Sequence, residues 1–126
     1  CPVIAHRQLA AGAVGICVAK VSEAAALIGA GVDRVLVTSP VVDAARAGLL
    51  AELSRRVTAL DVVVDGARGL ELLAAAVRPD DRLGVLVDVD VAMGRTGVRE
   101  AETIVRLAAD ARSAPGLVYR GIQHYA

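Results

Sequence analysis

Hydrophobic runs alternate with amphipathic stretches along the whole chain, and the alternation predicts five strands and five helices. Continuous apolar runs at residues 14–19, 33–38, 60–65, 83–90 and 118–123 read as strands. Helical spacing of apolar positions marks 2–11, 22–30, 40–56, 67–77 and 99–112. Pro2 sits in the first turn of the first helix and Gly12 stops it; Gly31 stops the second. Pro40 is expected to open the third helix; Thr38-Ser39 before it and Asp65-Gly66 before the fourth could each bond a ligand at a strand end, but are expected to be caps. Pro79-Asp80-Asp81 reads as a turn, and Ala114-Pro115-Gly116 releases the last strand.

Each strand is apolar throughout rather than half polar, which calls for a parallel sheet covered by helices. Strand starts recur about every 20 to 35 residues, the scale of βα units in a (β/α)8 TIM barrel. A doubly wound open sheet is the competitor, but no Gly-x-Gly-x-x-Gly joins a strand to its helix. The expected fold is therefore α/β, a partial barrel of five strands alternating with five helices. The chain opens on Cys1 and carries its one methionine at Met93, so it is expected to be a piece of a longer protein.

Composition narrows the classes of function. Fourteen basic and 14 acidic side chains balance to a formal charge of zero, so no nucleic-acid partner and no anionic membrane surface are expected. Charged residues interrupt every apolar stretch before it reaches a membrane-spanning length. Cys1 and Cys17 show neither metal-ligand nor disulfide spacing, which suits a reducing, cytoplasmic setting.

Candidate chemistry gathers where strands end, because barrel enzymes place their sites there. The richest stretch is 86–98, Leu-Val-Asp-Val-Asp-Val-Ala-Met-Gly-Arg-Thr-Gly-Val. A strand carrying Asp88 and Asp90 runs into a loop in which Gly94 and Gly97 flank Arg95. Glycines let the backbone approach a ligand, and a guanidinium offers a rigid, permanently charged fork. The plain alternative is a turn before a helix, with the two aspartates serving to anchor Arg95. Lys20, the chain's only lysine, ends the first strand. It is either a Schiff-base nucleophile in a barrel mouth or a lysine opening a helix in solvent. Gln123 and Tyr125 fall on one face of the last strand and His124 on the other, so His124 is expected to be peripheral. His6 is expected at the surface.

Three segments carry a resemblance to a known family: 15–24 (Gly-Ile-Cys-Val-Ala-Lys-Val-Ser-Glu-Ala), 88–98 (Asp-Val-Asp-Val-Ala-Met-Gly-Arg-Thr-Gly-Val) and 121–125 (Gly-Ile-Gln-His-Tyr). In this order the chain resembles the D-threonine aldolase and D-serine dehydratase family. Its members are fold-type III pyridoxal-phosphate enzymes with an alanine racemase-like N-terminal barrel and a β-rich second domain. Ala92 stands where that family usually has glycine, and His124 where it has a small residue.

The resemblance implies that residues 1–126 form an incomplete cofactor-binding barrel domain, lacking its first and last strands and the β domain. It implies that the lysine bonded to the cofactor lies just upstream of Cys1, making Lys20 its neighbour. Arg95 matches the arginine that contacts the cofactor's phenolic oxygen, Tyr125 a tyrosine lining the cofactor, and Gln123 lies beside it. A divalent metal (Mn, Mg or Zn) is expected on ligands outside this chain, and a homodimer is the expected assembly. The implied reaction is retro-aldol cleavage of a D-β-hydroxy amino acid to glycine and an aldehyde. A dehydratase yielding a 2-oxo acid and ammonia, a non-catalytic carrier of pyridoxal phosphate, and a cofactor-free aldolase using Lys20 stay open.

Overall fold

The computed structural model describes residues 1–125. Ten elements follow the expected order: α1 (Pro2–Ala10), β1 (Ile16–Val18), α2 (Val21–Gly29), β2 (Arg34–Val37), α3 (Ala44–Ser54), β3 (Ala59–Val64), α4 (Ala67–Ala76), β4 (Leu83–Val89), α5 (Ala101–Ser113) and β5 (Leu117–His124). The five strands form one sheet in the order β1-β2-β3-β4-β5, every neighbouring pair parallel. Each crossover therefore steps the same way, and right-handed crossovers then lay all the connecting helices on one face. A doubly wound sheet reverses its strand order; this one never does. It is a partial, TIM-barrel-like α/β fold.

Burial separates the two faces. Toward the helices point Val18, Val35, Val37, Leu60, Val62, Val64, Leu83, Val85 and Val87, all buried. Leu27 of α2, Leu50 of α3, Leu73 of α4 and Leu107 of α5 belong to the same buried cluster. Without Phe or Trp, the core is filled by branched aliphatics and alanine, each large side chain contributing roughly 1.5–3 kcal/mol on burial. The opposite face carries Leu36, Asp61, Gly84, Leu86, Asp88 and Gln123 in neighbouring registers. A register shift in β5 opposite Val85 and Leu86 leaves Arg120 without a partner in β4, so the face alternation resets before Gly121 and Gln123.

The third helix corrects the sequence reading. It begins at Ala44 rather than Pro40, because Asp43 Oδ1 accepts the Arg46 amide at 2.8 Å and supplies the cap. Thr38 is not a cap: its hydroxyl and its amide both donate to the Val18 carbonyl, at 3.1 and 2.8 Å. Of the expected Asp65-Gly66 cap, Gly66 is the N-cap residue of α4 and, as a glycine, makes no side-chain cap bond.

Candidate functional site

At the C-terminal end of β4 the chain leaves the sheet, makes a loop over 90–97 and returns. Val98 donates to the Asp88 carbonyl at 2.8 Å and Asp90 to the Val98 carbonyl at 3.1 Å, closing the loop at its base. Inside it, the Asp90 carboxylate accepts the Gly94 amide at 3.0 Å and the Ala92 amide at 3.2 Å. Its other oxygen takes Arg99 Nε at 2.7 Å. The Gly94 amide first, then the Arg99 guanidinium, hold the Asp90 carboxyl below the usual carboxylate range. Gly94 and Gly97 have φ of +63° and +106°, conformations that side-chain-bearing residues rarely adopt.

Two more carboxylates hold the loop from below. Asp88, 4 % exposed, accepts the Thr96 hydroxyl at 2.8 Å and the Gln123 amide nitrogen at 3.4 Å. Asp65, at the end of β3, faces the Gly97 amide at 3.5 Å. The anchoring role expected of the two aspartates is therefore real but aimed elsewhere. Asp90 pairs with Arg99 and Asp88 bonds Thr96, whereas Arg95 forms no ion pair among the described residues.

Arg95 instead lines a shallow cleft with Asp88, Met93, Thr96, Gln123 and Tyr125. The three residues expected to meet a cofactor thus come together at the sheet's C-terminal rim. Gln123 is half-buried, while Arg95 and Tyr125 are exposed. A free guanidinium, an aromatic ring and an amide around one opening suit a planar, anionic ligand.

Other candidates lie apart from that cleft. Lys20 caps α2 in solvent and lines a different groove, with Ser22, Pro40 and Arg46. Glu23 accepts the Ala19 and Lys20 amides at 2.9 and 3.0 Å, so this segment is built as a helix start. His124 is exposed and absent from the cleft lining, and His6 donates from Nε2 to the Ala30 carbonyl at 2.8 Å. Among the described residues no group of three or more His, Cys, Asp or Glu side chains is placed to hold a metal ion. Among the described residues no helix is long and apolar enough to cross a membrane.

Sequence reasoning missed the Thr96–Asp88–Gln123 chain of hydrogen bonds and the contact from Asp65. Asp88 and Gln123 were each singled out near the ends of their strands, but adjacency of β4 and β5 is a tertiary fact. Thr96 carried no signal of its own.

A D-threonine aldolase from Arthrobacter sp is 43% identical over 126 residues, covering 99% of this chain and 33% of that protein. A 3-hydroxy-D-aspartate aldolase from Paracoccus denitrificans is 40% identical over 115 residues, covering 90% of this chain and 30% of its own length. Among solved structures, D-threonine aldolase from Filomicrobium marinum superposes with a TM-score of 0.93 at 40% identity, over 98% of this chain and 33% of that one. Alanine racemase from E. faecalis gives 0.78 at 33% identity, over 91% and 30%. The chain thus spans about a third of the length of the relatives it matches. Residues 3–126 match the family model of the alanine racemase N-terminal domain, and to that family this chain belongs.

Proposed function

We propose that this chain is part of a pyridoxal-phosphate-dependent lyase that cleaves D-β-hydroxy amino acids, as a D-threonine aldolase does, to glycine and an aldehyde. The observation that carries this reading is the cleft in which Arg95, Gln123 and Tyr125 meet at the strand ends. Similarity to two aldolases acting on D-amino acids supports the substrate class.

The residues present fit the cofactor. Arg95 has no carboxylate partner among the described residues, so its charge is available to a phenolic oxygen. Tyr125 is 68% exposed, leaving its ring free to line an aromatic ligand. When bound, pyridoxal phosphate supplies an electron sink for the carbanion left by Cα–Cβ cleavage. Arg95 would hold the phenolic oxygen in its ionised form. Gln123, half-buried in the cleft lining, would offer its amide to the ligand.

The rest of the reading concerns the whole protein. Residues 1–126 would form one incomplete barrel domain, continued by further strands on the open edges of β1 and β5 and by a β-rich domain. The chain's one-third coverage of its relatives supports this. A divalent ion (Mn, Mg or Zn) would sit on ligands outside this chain. The two free cysteines suit a cytoplasmic enzyme, and a homodimer is the proposed assembly.

The test uses the full-length protein with pyridoxal phosphate and D- or L-threonine. Glycine and acetaldehyde in equal amounts from the D-isomer alone are expected. A 2-oxo acid and ammonia would move the protein to the dehydratase branch, and tight cofactor binding without turnover would make it a carrier. Borohydride trapping should label a lysine preceding residue 1; label on Lys20 would overturn the assignment.

A further inference from the structure

Asp88 is a buried charged residue, at 4 % exposure. Such a group is kept only where it is well satisfied, since burying an unpaired carboxylate is costly. Here its two oxygens go to two different elements. Oδ2 takes the Thr96 hydroxyl at 2.8 Å, in the loop that carries Arg95. Oδ1 takes Gln123 Nε2 at 3.4 Å, across the β4–β5 pairing in which the two residues are register partners. Its own carbonyl receives the amide of Val98, the residue that closes the loop. Nothing in the proposed chemistry calls on this carboxylate, yet it touches both walls of the cleft.

We infer that Asp88 is a positioning residue: its carboxylate ties the Arg95 loop to β5 through Thr96 and Gln123 and so sets the spacing between guanidinium and amide at the cleft. Thr96 adjoins Arg95, so fixing its side chain restricts the backbone from which the guanidinium projects. The bond to Gln123 fixes the orientation of that amide beside the cleft. The inference rests on the proposed reading of the cleft as a pyridoxal-phosphate site.

Thr96 is the place to test it. The residue is exposed and valine matches its shape, so Thr96→Val removes one bond without opening the core. In the full-length protein without cofactor, amide hydrogen exchange over 93–97 should rise about tenfold, as loss of one charge-assisted hydrogen bond predicts. The dissociation constant for pyridoxal phosphate should rise by a similar factor, and the melting temperature should fall because the buried Asp88 carboxylate loses a partner. Thr96→Ser keeps the hydroxyl and should restore all three. Unchanged exchange over 93–97 in Thr96→Val, or a defect that Thr96→Ser shares, would overturn the positioning role. A wild-type protein that binds no pyridoxal phosphate would instead overturn the functional reading, and the exchange comparison would still decide the role of Asp88.

Discussion

Gly97 passes so close to Asp90 that a Cβ on it would stand 2.6 Å from the Asp90 nitrogen and 2.8 Å from the Val89 carbonyl carbon. Both are backbone atoms at the base of the Arg95 loop, so neither can swing aside. The φ of +106° adds a second penalty for any side chain, of about 1–3 kcal/mol. Gly97→Ala should therefore displace the loop. Cofactor affinity should fall at least tenfold, with a lowered melting temperature. Wild-type affinity in that variant would show that the loop tolerates the shift and that its geometry does not set binding.

Arg95 makes the opposite prediction. It is exposed and forms no ion pair among the described residues, so folding does not depend on it. Arg95→Ala should leave stability within about 0.5 kcal/mol of wild type. Turnover of the full-length enzyme should fall by about 10²–10³, the usual effect of removing one donor to a developing charge. Arg95→Lys should recover only part of it, because an ammonium lacks the planar fork. Comparing turnover with thermal stability separates the two effects; equal turnover in wild type and Arg95→Ala removes the residue from the mechanism.

The strands were legible because each is a short apolar run and each crossover is helical, which leaves little besides a parallel sheet. Arg95, Gln123 and Tyr125 were legible as a group because strand ends share one rim in such a sheet, and family resemblance added their roles. The start of α3 was not, because Pro40 is a good first-turn residue while Asp43, three residues on, supplies the stronger cap. The partner of Asp90 was not legible either. Arg95 and Arg99 both lie within reach along the sequence, and only the turn imposed by Gly94 and Gly97 decides between them.

Low in the sheet, Gly84 owes its identity to Asp61. A Cβ on Gly84 would lie 1.7 Å from Asp61 Oδ1, in the space where that carboxylate meets Arg120 Nε at 3.4 Å. Burial raises the Asp61 carboxyl above its ordinary range, with Arg120 opposing the shift. Gly84→Ala should cost about 1–3 kcal/mol, the range for overpacking. In an Asp61→Gly background the same substitution should cost well under half as much, since the two closest obstructing atoms are gone and only Arg120 Cγ, at 3.1 Å, remains. Thermal or denaturant unfolding of the four proteins in this cycle measures the coupling. Additive costs would mean that Gly84 is required for another reason.

Acid should weaken one identifiable contact. Asp81, with a side chain 5% exposed, accepts Arg55 Nε and a terminal guanidinium nitrogen of Arg55, both at 2.8 Å, joining the end of α3 to the turn before β4. It also accepts the Arg78 amide at 2.8 Å. The Arg55 hydrogen bonds first, then the Arg78 amide, lower its carboxyl from 3.8 to about 2. A carboxyl depressed in the folded state contributes stability that is fully present above its unfolded pKa. That contribution disappears as pH falls from about 4 to about 2 and the carboxylate takes up its proton. Asp81→Asn keeps the shape but not the charge, so at neutral pH the variant should melt roughly 3–8 °C below wild type. The gap should close as pH approaches 2, because protonated aspartic acid and asparagine are then equally neutral. A gap that stays constant from pH 7 to pH 2 would mean that the charge on Asp81 contributes nothing to stability and that its geometry alone holds the turn.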